Sequence, residues 1–130
     1  MKALELKHKP ISTADIQVGD VFHSSWGCGM SLNTFYRVVS RTNCFVTLRE
    51  LRKIDIPDVG SNGFSGMQYP ADEYKDASNI YDGHRVVVDG KAYSQVKVKI
   101  PSDGRLSLKI HSFEFAYPWD GKGHYYNHLD

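Results

Sequence analysis

The sequence predicts an all-β fold: a small antiparallel barrel or bent sheet of about six to seven strands, with one long loop and a short helical turn near the N-terminus. Three observations predict it. Segments 20–25, 34–40 and 44–54 are each rich in Val, Phe, Tyr, Thr or Leu and are separated by turn residues, which is the composition and punctuation of short strands. Val96, Val98 and Ile100 alternate with Gln95, Lys97 and Lys99, and Leu106, Leu108 and Ile110 alternate with Ser107, Lys109 and His111, so each stretch has one apolar face at the period of a strand. After His111 the apolar set changes parity to Phe113, Phe115 and Tyr117. A strand must bulge or change sheets there, as the corner of a small barrel requires.

Taken in order, the first 17 residues are polar and Lys-rich as far as Ile11. Ser12 then stands as N-cap of a single helical turn, with Asp15 beside its first amides. The three early strands form a meander, joined by a glycine-containing connection over 26–33 and a short turn at Arg41-Thr42-Asn43. Residues 56–84 mix Pro, Gly, Ser, Asn and Asp with Phe64, Met67, Tyr69, Tyr74, Ile80 and Tyr81. A loop of that length is unusual in a compact domain, and its aromatics imply that it covers a sheet edge or binds a partner. Val88-Asp89-Gly90-Lys91 reads as a two-residue hairpin turn. Ser102-Asp103-Gly104 reads as a three-residue one, placing Ile100 opposite Leu106, Val98 opposite Leu108, Val96 opposite Ile110 and, facing outward, Lys97 opposite Lys109. An Asp-Gly turn at Asp120-Gly121 leads into a polar tail, and residues 1–10 and 124–130 are expected to be flexible ends.

At 130 residues the chain has the size of one domain, 1–130. A hydrophobic fraction of 41% and a charged fraction of 24% exclude disorder throughout. The net charge of +1 conceals a polarity: residues 55–84 carry six acids and one base, net −5, while residues 85–111 carry six bases and two acids, net +4. Two cysteines make no disulfide framework and no charged-then-apolar leader opens the chain, so a reduced cytoplasmic setting is expected. No apolar run approaches the roughly 20 residues that cross a bilayer.

Several groups invite chemistry. Lys97, Lys99, Arg105, Lys109 and His111, with Tyr93 nearby, would give one outward face basic and aromatic character, the make-up of a platform for single-stranded nucleic acid. The same residues serve equally as a solvated face that discourages aggregation, or as the counter-charge of the acidic 55–84 segment. Cys28 lies between two glycines and near His23 and Ser25, but no orienting third group or oxyanion site stands at a recognisable spacing. No catalytic residue is assigned, and the chain is not expected to be an enzyme. Cys44 alternates with Val46 and Leu48 and is expected in the core. His124 and His128 have no further metal-ligand motif beside them, and the glycines of 60–66 lack the Lys-Ser/Thr ending of a phosphate loop. No metal or cofactor is expected. Trp26 and Trp119 each precede a glycine turn, as core residues or as exposed platforms. A nearly neutral chain favours a protein partner over nucleic acid, with Trp26, Phe64, Tyr69 and Tyr74 as its anchors. Sequestration of a small nucleotide is a third reading.

Gly19-Asp20, Ser25-Trp26-Gly27, Phe35-Tyr36-Arg37-Val38-Val39, Val46-Thr47-Leu48-Arg49-Glu50 and the closing Trp119-Asp120-Gly121-Lys122 resemble a group of short, functionally uncharacterised proteins of tailed bacteriophages and mobile elements. The likeness covers residues 18–54 and 112–123. Where that group has Tyr-Asp-Gln-Thr-Asn after the Trp-Gly pair, this chain has Cys28-Gly29-Met30-Ser31-Leu32. The resemblance implies an accessory protein in the cytoplasm of a bacterial host, acting by occupying a host macromolecule and inhibiting a host defence system.

Overall fold

In the computed structural model, which describes residues 1–26, 32–77 and 85–128, nine strands follow a single 3-10 turn at Thr13–Asp15. They are β1 (Val21–Trp26), β2 (Leu32–Arg41), β3 (Phe45–Pro57), β4 (Ser65–Tyr74), β5 (Arg85–Val88), β6 (Lys91–Lys99), β7 (Leu108–His111), β8 (Glu114–Pro118) and β9 (His124–Asn127). Seven of them form one antiparallel sheet in the order β5-β6-β3-β2-β1-β8-β7, curled into a half-barrel. β3 is long enough to serve two layers. Its first half lies between β2 and β6, and its second half pairs with β4, which in turn pairs with β9.

Alternation along the strands fills two cores. Phe22, Tyr36, Val38, Leu48, Val98 and Leu108 belong to the group inside the half-barrel, with Val96, Leu106 and Ile110 packed against it. The residues of opposite parity, Val21, Phe35 and Leu51, form a second group on the convex side, where Trp119, Leu4 and Tyr74 cover them. Trp119 is 1% exposed and its indole N–H donates to Lys122 O at 2.8 Å, so this tryptophan is a core residue with its polar atom satisfied. The Val88-Lys91 hairpin is present as expected: Asp89 and Gly90 both take positive φ, 50° and 80°, the backbone that makes Asp-Gly the sequence of this turn.

The structure corrects the sequence reading at six places. Residues 56–84 are not one long loop, because β3 continues to Pro57 and β4 occupies Ser65–Tyr74. Within the described residues both ends are tied to β4. Ala3 bridges Ala71 and Leu4 N–H donates to Pro70 O at 2.9 Å, while β9 pairs with β4 and buries Tyr126. Residues 96–110 keep the predicted inward set, but β6 and β7 are not a hydrogen-bonded pair. Lys97 lies opposite Thr47 and Lys109 opposite Phe115, since each strand finds a better partner elsewhere in the curled sheet. Phe115 and Tyr117 point outward at 43% and 57% exposure, and Glu114 and Ala116 point inward; the chain reverses at Ser112-Phe113, and the expected irregularity is a register shift between Lys109 and His111. Cys44 is exposed in the turn before β3 rather than buried. The Ser12 side chain makes no capping bond either; the Asp15 carboxylate accepts from Ile11 N–H instead.

Candidate functional site

Two regions carry more exposed apolar or buried polar chemistry than the fold needs. The first is the outer face of the small β3-β4-β9 layer. Directly opposed residues of antiparallel strands share a face, and the registers Ile54↔Tyr69, Ile56↔Met67 and Met67↔Tyr125 put Ile54, Ile56, Met67, Tyr69 and Tyr125 on one side. Ile56 is 55% exposed, Met67 36% and Tyr125 51%, so these three form a solvent-facing apolar row across three strands. Phe64, at 49%, and Val59 stand in the β3-β4 turn. Asp58 stands in the same turn, whereas Asp55 points to the other side of the layer, where it meets Gln68.

The opposite side of this layer is polar and buried. Asn33 is 1% exposed, and its Nδ2 donates to Gln68 Oε1 at 3.1 Å and to Tyr125 O at 2.9 Å. With Nδ2 committed as donor, Asn33 Oδ1 must accept, so His23 Nε2–H donates to it at 2.8 Å. Gln68 Nε2 donates onward to Asp55 Oδ1. This network joins the small layer to the half-barrel, and a satisfied buried network fixes one arrangement of the two.

The second region is the open mouth of the half-barrel, a cavity of about 380 Å³ between β2, β3, β6 and β7. It exists because β6 and β7 converge at their apolar ends without pairing. Glu114, 4% exposed, lies at its floor. Ser24 Oγ and Tyr36 Oη both donate to its Oε2, the latter at 2.7 Å, and His111 Nε2 donates to Oε1 at 2.9 Å. Burial, with the neighbouring Glu114 carboxylate, pushes the Tyr36 phenol far above its ordinary range, so it remains a donor. Glu50 stands on the wall with Lys75 at 3.1 Å. Lys53, its pKa lowered by burial, donates to Asn33 O at 2.7 Å. Ser24, Glu114 and His111 do not make a hydrolytic triad. The imidazole must lie between hydroxyl and carboxylate to relay a proton, and here the carboxylate lies between.

Of the four protein-docking anchors expected from sequence, Phe64 is exposed beside the apolar row and Tyr69 belongs to that face, half-buried over Gly123. Tyr74 is used internally: the Arg37 and Arg49 guanidinium groups lie 5.4 and 4.9 Å from its ring centroid, and Tyr93 meets it edge-on. The Trp26 side chain lies outside what is described, as do Cys28, Ile80 and Tyr81. Of the six residues of the basic-face reading, Tyr93, Lys97 and Lys99 share one face of β6, and Arg105, Lys109 and His111 lie off that strand. Lys97 lies over the Phe45 ring at 4.8 Å, Tyr93 under Arg49 at 5.2 Å, and Arg105 against Asp103 at 3.2 Å. Lys99 and Lys109 are exposed on different strands, and His111 turns into the barrel mouth. Ile56, Met67, Tyr125, Glu114 and Lys53 were not singled out from sequence. The signal for the first two was present in the alternation of Ile54-Asp55-Ile56 and Met67-Gln68-Tyr69 across the glycine-rich turn. No protein-family model, curated protein or solved structure matches this chain.

Proposed function

We propose that the chain is a non-enzymatic binding protein that docks a partner protein on the outer face of the β3-β4-β9 layer. The observation that carries this reading is the solvent-facing row Ile56, Met67 and Tyr125 with Phe64 beside it, on a layer whose other side is already packed. Aromatic and Met side chains grouped on an exposed face are characteristic of interfaces. Asp58 in the turn beside Phe64 suits a partner with a Lys or Arg at the edge of its apolar surface. The likeness to phage and mobile-element proteins makes a host protein, in the bacterial cytoplasm, the partner of choice, with a defence component as its natural class.

The test compares the wild type with the Met67→Ser, Tyr125→Ser double variant. A host protein retained by the wild type should bind the double variant at least tenfold more weakly once purified, and its binding should weaken with salt. Equal binding by both forms overturns the reading. So does self-association of the wild type through this face, seen as a dimer by light scattering and lost in the variant. Salt-sensitive retention of oligonucleotides that disappears on Lys97→Glu with Lys109→Glu would instead favour the basic strands.

A further inference from the structure

We infer that the mouth of the half-barrel binds a small zwitterion of amino-acid to dipeptide size, its ammonium toward Glu50 and Glu114 and its carboxylate toward Lys53. This site is separate from the docking face. The cavity of about 380 Å³ lies within the range of small-molecule sites, roughly 300–1,000 Å³. Two carboxylates and two ammonium groups line it, Glu50 and Glu114 against Lys53 and Lys75, with Lys75 on Glu50 Oε2 and His111 on Glu114 Oε1. A simple anion entering it meets both carboxylates and a simple cation meets both ammoniums. A ligand bearing one charge of each sign can place each beside its opposite.

The hydrogen-bonding capacity points the same way. Glu114 Oε2 already accepts from Ser24 and Tyr36, whereas Oε1 accepts from His111 and has a lone pair left. Lys53 has three donor hydrogens, of which Asn33 O takes one. Leu32, Val96 and Ile110 supply the apolar wall between them. Of the two rings in the lining, Tyr36 is 7% exposed and offers no open face, and His111 is held by Glu114 and met edge-on by Phe113, which favours a zwitterion over a nucleotide.

The experiment titrates isotope-labelled protein with alanyl-alanine, its N-acetyl derivative and its C-terminal amide, followed by amide NMR shifts. The free dipeptide should give saturable shifts at Val96, Ile110 and Glu114, and each cap should weaken binding tenfold or more. Lys53→Met should erase the preference for a free carboxylate, and Glu50→Gln the preference for a free ammonium. These wall positions are chosen over Glu114, whose replacement disturbs the buried network. Absence of saturable shifts with the free dipeptide at about 10 mM, a concentration that fills even a millimolar site, overturns the inference. So do caps that leave affinity unchanged.

Discussion

His23 of β1 and His124 of β9 stack with ring centroids 3.9 Å apart and planes 27° from parallel, joining the half-barrel to the small layer through two titratable rings. Asp120 accepts from His124 Nε2 at 3.0 Å, so a charge on His124 is compensated. His23 makes no ion pair among the described residues: Phe35 stacks on its ring, Asn33 holds its Nε2, and Asp120 acts on it only weakly, as the smallest of the influences on its pKa. Burial lowers the His23 pKa from its ordinary value of 6.5, the charge on His124 lowers it further, and the Asn33 bond offsets part of this. The unfolded chain therefore takes up this proton first, and stability falls as pH drops below about 6.5. His8 works in the opposite sense. Its hydrogen bond to Asp20 raises its pKa, giving stability that is present below 6.5 and lost as pH rises through the raised value. On going from about pH 7.5 to pH 5, the melting temperature of His23→Gln should fall less than that of the wild type, or rise more, and that of His8→Ala should fall more. A His23→Gln profile parallel to the wild type contradicts the assignment.

Asn33 holds β9 in place more directly than any apolar contact, because its amide donates to Tyr125 O, Gln68 Oε1 and, at 3.4 Å, His124 O. Asn33→Ala should cost about 3 kcal/mol, since it removes several bonds and leaves buried groups unsatisfied. Hydrogen exchange should quicken first at the β9 amides. Uniform acceleration across all strands would show that the network is not a local fastening.

The Glu114 carboxylate stays inside the half-barrel because three donors converge on it. Tyr36→Phe removes a bond to a charged group and should destabilise by about 2 kcal/mol. Ser24→Ala removes the other donor to the same oxygen, so the double variant, with His111 as the remaining donor, should lose more than the sum of the singles. Denaturant unfolding of the four forms measures this coupling, and strict additivity would mean that the two hydroxyls act independently.

The all-β class and the inward set from Val96 to Ile110 were legible because both depend on period-2 alternation, which survives whatever the strand pairs with. Pairing was not legible. Nothing in the spacing of Lys97 and Lys109 tells β6 to choose β3 over the strand just beyond the Ser102-Asp103-Gly104 turn; the curl of the sheet decides that. The stretch around Gly66 looked like loop for a related reason. A glycine there reads as a breaker, yet its hydrogen is what lets β4 approach β3, since a Cβ would stand 2.2 Å from Ile56 O. The exposed apolar face was half legible: Phe64 and Tyr69 lie on or beside it, while Met67 and Tyr125 meet only through a pairing of residues 58 positions apart. Glu114 was hidden because a charged residue between Phe113 and Phe115 reads as outward until its three donors, buried Ser24 and Tyr36 and half-buried His111, are seen around it.

Gly123 and Tyr69 fit face to face, and this contact decides how the tail enters β9. A Cβ on residue 123 would lie 2.3 Å from Tyr69 Cζ and 2.7 Å from both neighbouring ring carbons, closer than any side chain tolerates, so the ring must swing away or β9 must shift. Gly123→Ala should therefore destabilise by about 1–3 kcal/mol, the usual cost of overpacking. In a Tyr69→Ala background the obstruction is gone, and the same substitution should become nearly neutral. It would even help slightly where the added methyl restricts the unfolded chain. Thermal or denaturant unfolding of the wild type, both single variants and the double variant gives the coupling directly. If the cost of Gly123→Ala persists undiminished without the tyrosine ring, the constraint at this position is one of backbone conformation and not of contact with Tyr69.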